Sequence, residues 1–471
     1  MLFNTIDFAI FLPAVVLIYY LIPPKFRWVL LLVASYYFYM SWKVEYILLI
    51  VVSTLVDYFS GIRMGKLEER RSRLPWLILS LCINLGLLFS FKYFNFATEN
   101  LNVLFSKVGL AGKIPMHELL LPVGISFYTF QTLSYSIDVY FGRQKAEKHL
   151  GYFALYVSFF PQLVAGPIER YSRLAPQLRE RHILSYDNLV NGLRLILYGL
   201  FIKMVIADNI SPIVDQVYAN PENYASGHVL TGIFLYSFQI YSDFFGYSTI
   251  AIGSALLLGV RIMDNFKSPY LAKNISEFWQ RWHISLSTWF RDYLYFPLGG
   301  NRVSKYRWVL NILVVFLVSG LWHGANWTFI IWGLLFGLIY LIEHVLNRSL
   351  KLQKEHSAYS AGHLLLALKT FFLVTILWVF FRSQSFGDAM HIFKLIVQNA
   401  PSDPQQLLIP LSTWIFLLLF IVSDVFLYKR RFDSWVAGMH FLLRWAIYGV
   451  LLFGIIAFAG VENFPFIYFQ F

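Results

Sequence analysis

Residues 308–342 read WVLNILVVFLVSGLWHGANWTFIIWGLLFGLIYLI. Two apolar runs, each close to the roughly 20 residues that carry a helix across hydrocarbon, meet at GLWHGANW, Gly320 to Trp327. The pattern predicts a hairpin of two helices, about Trp308 to Leu321 and Asn326 to Leu346, with one imidazole, His323, at its apex. Similar runs recur along the chain: YILLIVVSTLVDYF at 46–59, LLLALKTFFLVTILWVFF at 364–381, TWIFLLLFIVSDVFLY at 413–428 and RWAIYGVLLFGIIAFAG at 444–460. Of the 471 residues, 58% are hydrophobic and 14% charged, where a soluble domain carries charge on about a quarter. The surplus apolar surface has to face lipid. The expected fold class is all-α: a polytopic membrane protein of about eleven transmembrane helices plus re-entrant and interfacial segments.

Charge gives the topology. The net charge of +12 is spread over short loops between the runs, which is the positive-inside pattern and not a nucleic-acid footprint. GIRMGKLEERRSRLP, with Arg63, Lys66, Arg70, Arg71 and Arg73, fixes a cytoplasmic side, so the N-terminus and the C-terminus are both expected outside. The opening MLFNTIDFAIFLPAVVLIYYLI has no basic residue before its apolar run and is expected to be a retained first span. Residues 150–182 hold a short apolar stretch interrupted by Pro161 and Gly166-Pro167, which predicts a re-entrant segment. A span near Leu189 to Ile206, an outer loop from Ala207 to His228, and a long span or broken pair from Val229 to Val260 should follow. The basic stretch from Arg261 to Arg307 and the loop NRSLKLQKEH are expected on the cytoplasmic side, and residues 382–406 as an amphipathic interfacial helix and loop. No repeat or hydrophilic linker divides the chain, so one domain, 1–471, is expected, and the lone Cys82 excludes an internal disulfide.

Two constellations carry chemistry. In SEFWQRWHISLSTWFRDYLYFPLGGNR, Ser276 to Arg302, helical spacing puts Trp282, Leu286, Trp289 and Tyr293 on one face. Gln280, His283, Ser287 and Arg291 form the adjoining polar face. That pattern fits best an interfacial helix anchored by its aromatic residues, with a helix whose polar face lines a ligand cavity that Gly299-Gly300 lets backbone approach as the alternative. His323 is open to two readings as well: a neutral core histidine, or a base facing an interior pathway. Gly324 and Ala325 leave room beside it, Asn326 is placed to bond a ring nitrogen, and Trp322 and Trp327 supply walls. Burial keeps an imidazole neutral, the form in which it takes a proton. Asp243, within QIYSDFFGYSTIAIG, either bonds across helices or lines a polar conduit. The two histidines lack the spacing of a zinc helix, so no metal site is expected.

NFKSPYLAKNISEFWQRWHISLSTWFRDYLYFPLGGNR, 265–302, followed by GLWHGANW, resembles the bacterial branch of the membrane-bound O-acyltransferase (MBOAT) family, the branch of alginate O-acetylation. The likeness extends to MLFNTIDFAIFLP, LPVGISFYTFQTLSYSIDVY, FFPQLVAGPIER and the closing FIYFQF, and departs at Phe245 and Thr249. The resemblance implies a funnel-like helical fold in which an acyl group passes outward from a cytoplasmic thioester. It maps the family's histidines onto His323, as catalytic base, and His283, and makes Asn326, Trp322, Trp282, Gln280, Arg281, Arg291 and Asp292 candidates for substrate binding. No tightly bound cofactor is implied. Acetyl-CoA or an acyl carrier thioester would be the co-substrate, docked near Lys267, Lys273, Arg281, Arg291 and Arg302. The implied partners are the lipid bilayer of a bacterial inner membrane, an outward-facing acetyltransferase of the SGNH type and, through it, an exported polysaccharide. D-alanyl transfer to a cell-wall polymer, and transport without bond-making, are the competing readings.

Overall fold

The computed structural model describes residues 1–110, 112–117, 120–164, 166–349, 360–398, 401–428, 430–460 and 464–469. Among them no strand forms; an isolated bridge joins Tyr224 to Gln405, and the remaining regular backbone is helical. Seven helices are long and apolar enough to cross a membrane: Val44–Gly65, Arg70–Lys107, Tyr186–Ala219, Lys305–His323, Trp327–Asn347, Ala361–Arg382 and Phe441–Phe458. Ile6–Leu21 and Leu411–Phe426 are shorter apolar helices. The chain is an all-helical polytopic membrane protein, as its composition requires.

The chain forms two compact units. The first, residues 1–189 and 254–263, contains α1 (Ile6–Leu21), α2 (Arg27–Met40), α3 (Ile47–Gly65), α4 (Arg70–Leu88), α5 (Phe94–Lys107), α6 (Ile125–Tyr140), α7 (Leu150–Ser158), α8 (Phe160–Leu163) and α9 (Tyr171–Arg179). α3, α4 and α6 close around a buried carboxylate: Asp57 accepts from Ser80 Oγ, from Ser136 Oγ at 2.9 Å and from Asn84 Nδ2 at 2.9 Å. Such satisfaction is what makes a carboxylate tolerable at membrane depth. Residues 150–182 break into α7, α8 and α9, each too short to span, in line with the non-spanning reading; Ala165 lies outside the described residues.

The second unit, residues 190–253 and 264–471, carries the candidate site. α10 (Tyr186–Leu200) continues through a π segment, Phe201–Ala207, into α11 (Asp208–Ala219). The outer loop expected from Ala207 is therefore helical over its first half. Asp208 and Asn209 look like loop residues but are satisfied inside the protein, by Lys203 Nζ at 2.6 Å and by the Phe458 carbonyl at 2.9 Å. α12 (Ser226–Leu257) is one unbroken helix of 32 residues and not a broken pair. Its glycines are approach points: a Cβ on Gly246 would press on the Gly199 carbonyl and the Lys203 backbone, and one on Gly253 on the Gly192 carbonyl.

α13 (Ile275–Arg281) and α14 (Ile284–Phe290) lead into the hairpin of α15 (Lys305–His323) and α16 (Trp327–Ser349). The hairpin stands as predicted, and glycines let its two backbones touch. A Cβ on Gly320 would overlap the Phe329 carbonyl oxygen, and one on Gly333 the Phe316 carbonyl oxygen. Of the basic loop expected after it, residues 350–356 lie outside the described residues. α17 (Ala361–Arg382) is followed by α18 (Phe386–Val397), the expected amphipathic helix, which buries Ala389 and Ile392. α19 (Leu411–Phe426), α20 (Phe432–Ala437) and α21 (Phe441–Phe458) complete the unit.

Candidate active site

The amphipathic helix expected over 276–302 is interrupted at the histidine. Trp282 is extended (φ −101°, ψ 129°) and His283 left-handed (φ 42°, ψ 54°) before α14 begins. Only Ser268 and His283 among the described non-glycine residues have positive φ. A branched or ring-bearing residue adopts that conformation rarely, and the surrounding structure has to impose it. Here the segment 265–267 does so. Ile284 N donates to the Asn265 carbonyl (2.9 Å), Ser285 N and Oγ donate to Asn265 Oδ1 (3.2 and 2.9 Å), and Lys267 N donates to the Arg281 carbonyl (2.9 Å). The break turns His283 off the polar face it would share with Gln280 and Arg291 and drives it into the core, where it is 0% exposed.

Asn265 also sets the ring. His283 Nδ1 lies 3.1 Å from Asn265 Oδ1, while Asn265 Nδ2 donates to Ser248 Oγ at 3.2 Å. A carboxamide oxygen only accepts, so Nδ1 carries the proton and Nε2 is the basic nitrogen. His283 lies outside the membrane-spanning helices, and complete burial pushes its imidazole down to about 3, which keeps it neutral.

His323 ends α15 and is 2% exposed. Its ring is enclosed by Trp322 (5.0 Å between centroids), Trp332 (5.1 Å), Phe381 (5.3 Å) and Tyr468 (5.7 Å). His283 meets two of the same rings, Trp322 at 5.8 Å and Tyr468 at 6.3 Å, together with Phe244 at 4.7 Å. The histidines thus converge on one aromatic chamber. Trp282 reaches it indirectly, through Trp378 (5.1 Å), which stacks on Trp332 (5.6 Å).

The other expected contacts divide. Asn326 does not fix the His323 tautomer: its Nδ2 donates to the Gln384 carbonyl (2.7 Å) and its Oδ1 accepts from Thr328 N (3.0 Å), capping α16. The space expected beside Gly324 is taken by Phe329, whose ring a Cβ there would overlap. Arg281 is engaged by Glu277 (2.8 and 3.0 Å) and the Lys267 carbonyl (2.9 Å). Arg291 pairs with Asp292 at 2.8 Å and, with Gln280, borders a separate groove of about 430 Å³. Gly299 and Gly300, at φ 106° and 58°, form the turn into α15. The residues not anticipated are Asn265 and Tyr468. Both sit inside quoted motifs, but their partners are distant in sequence.

A cavity of about 160 Å³ adjoins the chamber. Asn265, Ser248 and Ser268 stand in its wall, with Lys267, Arg430 and Arg431 among the lining residues. Among the described residues no group of three His, Cys, Asp or Glu side chains could hold a metal ion.

Comparison with known proteins gives this geometry a lineage. The family model for MBOAT, the membrane-bound O-acyltransferase family, matches residues 143–383, which include both histidines. A probable alginate O-acetylase of Azotobacter vinelandii is 41% identical over 386 residues, 82% of this chain and 75% of that protein. A peptidoglycan O-acetyltransferase of Helicobacter pylori is 36% identical over 84% of this chain and 80% of its own. A teichoic acid D-alanyltransferase of Bacillus subtilis is 32% identical over 47% of this chain and 58% of its own. With the family model spanning half the chain and relatives aligned over most of it, the chain belongs to the membrane-bound O-acyltransferase family and is an acyltransferase.

Proposed function

We propose that this acyltransferase moves an acetyl group from a cytoplasmic thioester, acetyl-CoA or an acyl carrier protein, to an outward-facing hydroxyl. The observation that supports the reading best is the double role of Asn265, which walls a cavity bordered by Lys267, Arg430 and Arg431 and holds His283 in the neighbouring chamber. Basic groups there suit the phosphates of a phosphopantetheine donor. This moves the donor's anchor from the Lys273, Arg281, Arg291 and Arg302 set toward Lys267 and Arg430, since Arg431 is already paired with Asp433.

In the reaction His323 takes the proton from the acceptor hydroxyl as its oxygen attacks the thioester carbonyl. The C–O bond forms, the C–S bond breaks, and the departing thiolate recovers the proton from the imidazolium, leaving an acetyl ester and a free thiol. His283, neutral and with its Nδ1 proton committed to Asn265, keeps only Nε2, an acceptor, so its part is to orient a hydrogen-bond donor such as the acceptor hydroxyl and not to meet the carbonyl's developing charge. The dry aromatic walls exclude water, which would otherwise compete as acceptor.

Acetyl is favoured over D-alanyl because the O-acetylating relatives align over 82–84% of this chain and the D-alanyl one over 47%. The acceptor is a hydroxyl of a separate outward-facing protein of the SGNH type, which passes the group to an exported polysaccharide. The protein sits in a bacterial inner membrane with both termini outside, as its basic loops predict. The test is thiol release from labelled acetyl-CoA by purified protein. Replacing His323 by Ala should lower it about 10²- to 10⁴-fold with normal insertion. A variant as active as wild type would remove His323 from the mechanism, and transport without bond-making predicts no thiol at all.

A further inference from the structure

Tyr468 reaches the chamber from the far end of the chain, and a buried ion cluster meets its segment. Lys203, on the π segment between α10 and α11, is 1% exposed, and its Nζ lies 2.6 Å from Asp208 Oδ1 and 2.6 Å from Asp243 Oδ1. Two carboxylates share one ammonium, so each needs further donors to remain buried. Asp243 has one in the tail: the Ile467 backbone N–H donates to Asp243 Oδ2 at 2.6 Å.

The tail also makes ring contacts. Phe466 packs on Tyr247 (4.8 Å) and Phe244 (5.3 Å), and Tyr468 on Phe244 (4.5 Å). Ring contacts of this kind can be remade with a neighbouring ring after a shift of the tail along α12, whereas a charge-assisted hydrogen bond to one carboxylate oxygen is short and fixed to one partner. A shift of one residue would carry the Tyr468 ring away from both imidazoles. π segments also recur at functional sites, which suits a lysine held at this depth.

We propose that Asp243, itself held by Lys203, is a positioning residue of the acyltransferase: it sets the register of residues 466–468 on α12 so that the Tyr468 ring packs against both His283 and His323. The assignment rests on the reading of His323 as the base. Asp208 shares Lys203 and, among the described residues, has no hydrogen bond to 464–469, which separates tail positioning from general support of the ion cluster.

The test combines hydrogen–deuterium exchange of the peptide covering 464–469 with thiol-release kinetics, on the purified full chain. Asp243→Leu should speed exchange at Ile467 at least about tenfold and lower kcat at least about tenfold, with donor KM within about twofold of wild type. Asp208→Asn should leave Ile467 exchange within about twofold and cost less kcat than either Asp243 variant. If Asp243→Leu does not assemble, the isosteric Asp243→Asn replaces it, with a smaller effect in the same direction because a neutral acceptor bonds more weakly. Unchanged Ile467 exchange in the Asp243 variants overturns the proposal, as does an equal kcat loss in Asp208→Asn. Exchange is read without turnover, so a failure of the donor reading, seen as no thiol from wild type, stays distinguishable from a failure of the tether.

Discussion

At the scale of single residues, the site depends on which amide faces which histidine. GLWHGANW makes Asn326 the obvious partner for His323, yet Asn326 caps α16, and the amide that works on a histidine is Asn265, opposite His283. Local spacing identifies a cap or a ring partner equally well, and only the path of the chain decides between them. Removing Asn265 should leave His283 free to turn and its Nδ1 proton without its acceptor, a loss of about 1–3 kcal/mol at a buried group. Asn265→Ala is therefore expected to lower kcat for thiol release by about 10- to 100-fold. Ser285→Ala, which removes a hydroxyl bonded to the same oxygen and lying 3.5 Å from His283 Nδ1 but leaves the shorter Asn265–His283 contact in place, should cost less than about fivefold. Equal losses in the two variants would mean that Asn265 acts by supporting the backbone and not the ring.

At the scale of elements, hydropathy made the α15–α16 hairpin legible and hid the break between α13 and α14. The hairpin is written in two local apolar runs closed by a turn, so the pattern and the structure share one cause. The break at Trp282–His283 is written in residues 265–267, whose backbone and side chain supply the hydrogen bonds that a continuous helix would have made. A periodicity argument sees the helix on either side and has no access to that template. The same applies to α11, read as a loop because Lys203, its charge partner, belongs to the preceding segment. The hairpin in turn presents His323 only if its backbones stay in contact. Gly320→Ala and Gly333→Ala each place a Cβ against a carbonyl oxygen of the facing helix. Either should destabilise the protein by about 1–3 kcal/mol and reduce turnover, because the helices must part at the end that carries His323. Gly86→Ala, where a Cβ meets nothing within 4 Å, should be neutral or stabilising by up to about 1 kcal/mol. Thermal unfolding of the three variants in one detergent checks the order, and a Gly320→Ala protein as stable as Gly86→Ala would show that the helix contact adapts.

At the scale of the whole molecule, net charge of +12 on a chain with 14% charged residues carries two expectations from the sequence, cytoplasmic loops and a basic docking face for the donor, and the fold bears on the second by showing which cations are already paired. The positive-inside pattern counts Lys and Arg in loops without asking what they face. In the fold, several of those charges are already spent: Arg281 on Glu277, Arg291 on Asp292, and Arg431 on Asp433 at 2.6 Å. Lys267 is 59% exposed at 3.7 Å from Asp264, and Arg430 is exposed, both lining the cavity that Asn265 shares. If a phosphorylated donor enters there, its affinity should carry an electrostatic share that salt screens, since exposed charges interact over a Debye length of about 8 Å at physiological ionic strength. Donor KM of the wild type should then rise with added salt while kcat stays nearly constant. Lys267→Glu/Arg430→Glu should raise donor KM about tenfold or more at low salt, about 1.4 kcal/mol of binding, and flatten the salt dependence. The Tyr468 chamber lies beyond the cavity wall, so kcat at saturating donor should change little. A double variant with unchanged KM, or one that loses kcat with KM intact, would place the donor's phosphates elsewhere and return the Gln280–Arg291 groove to consideration as the way in.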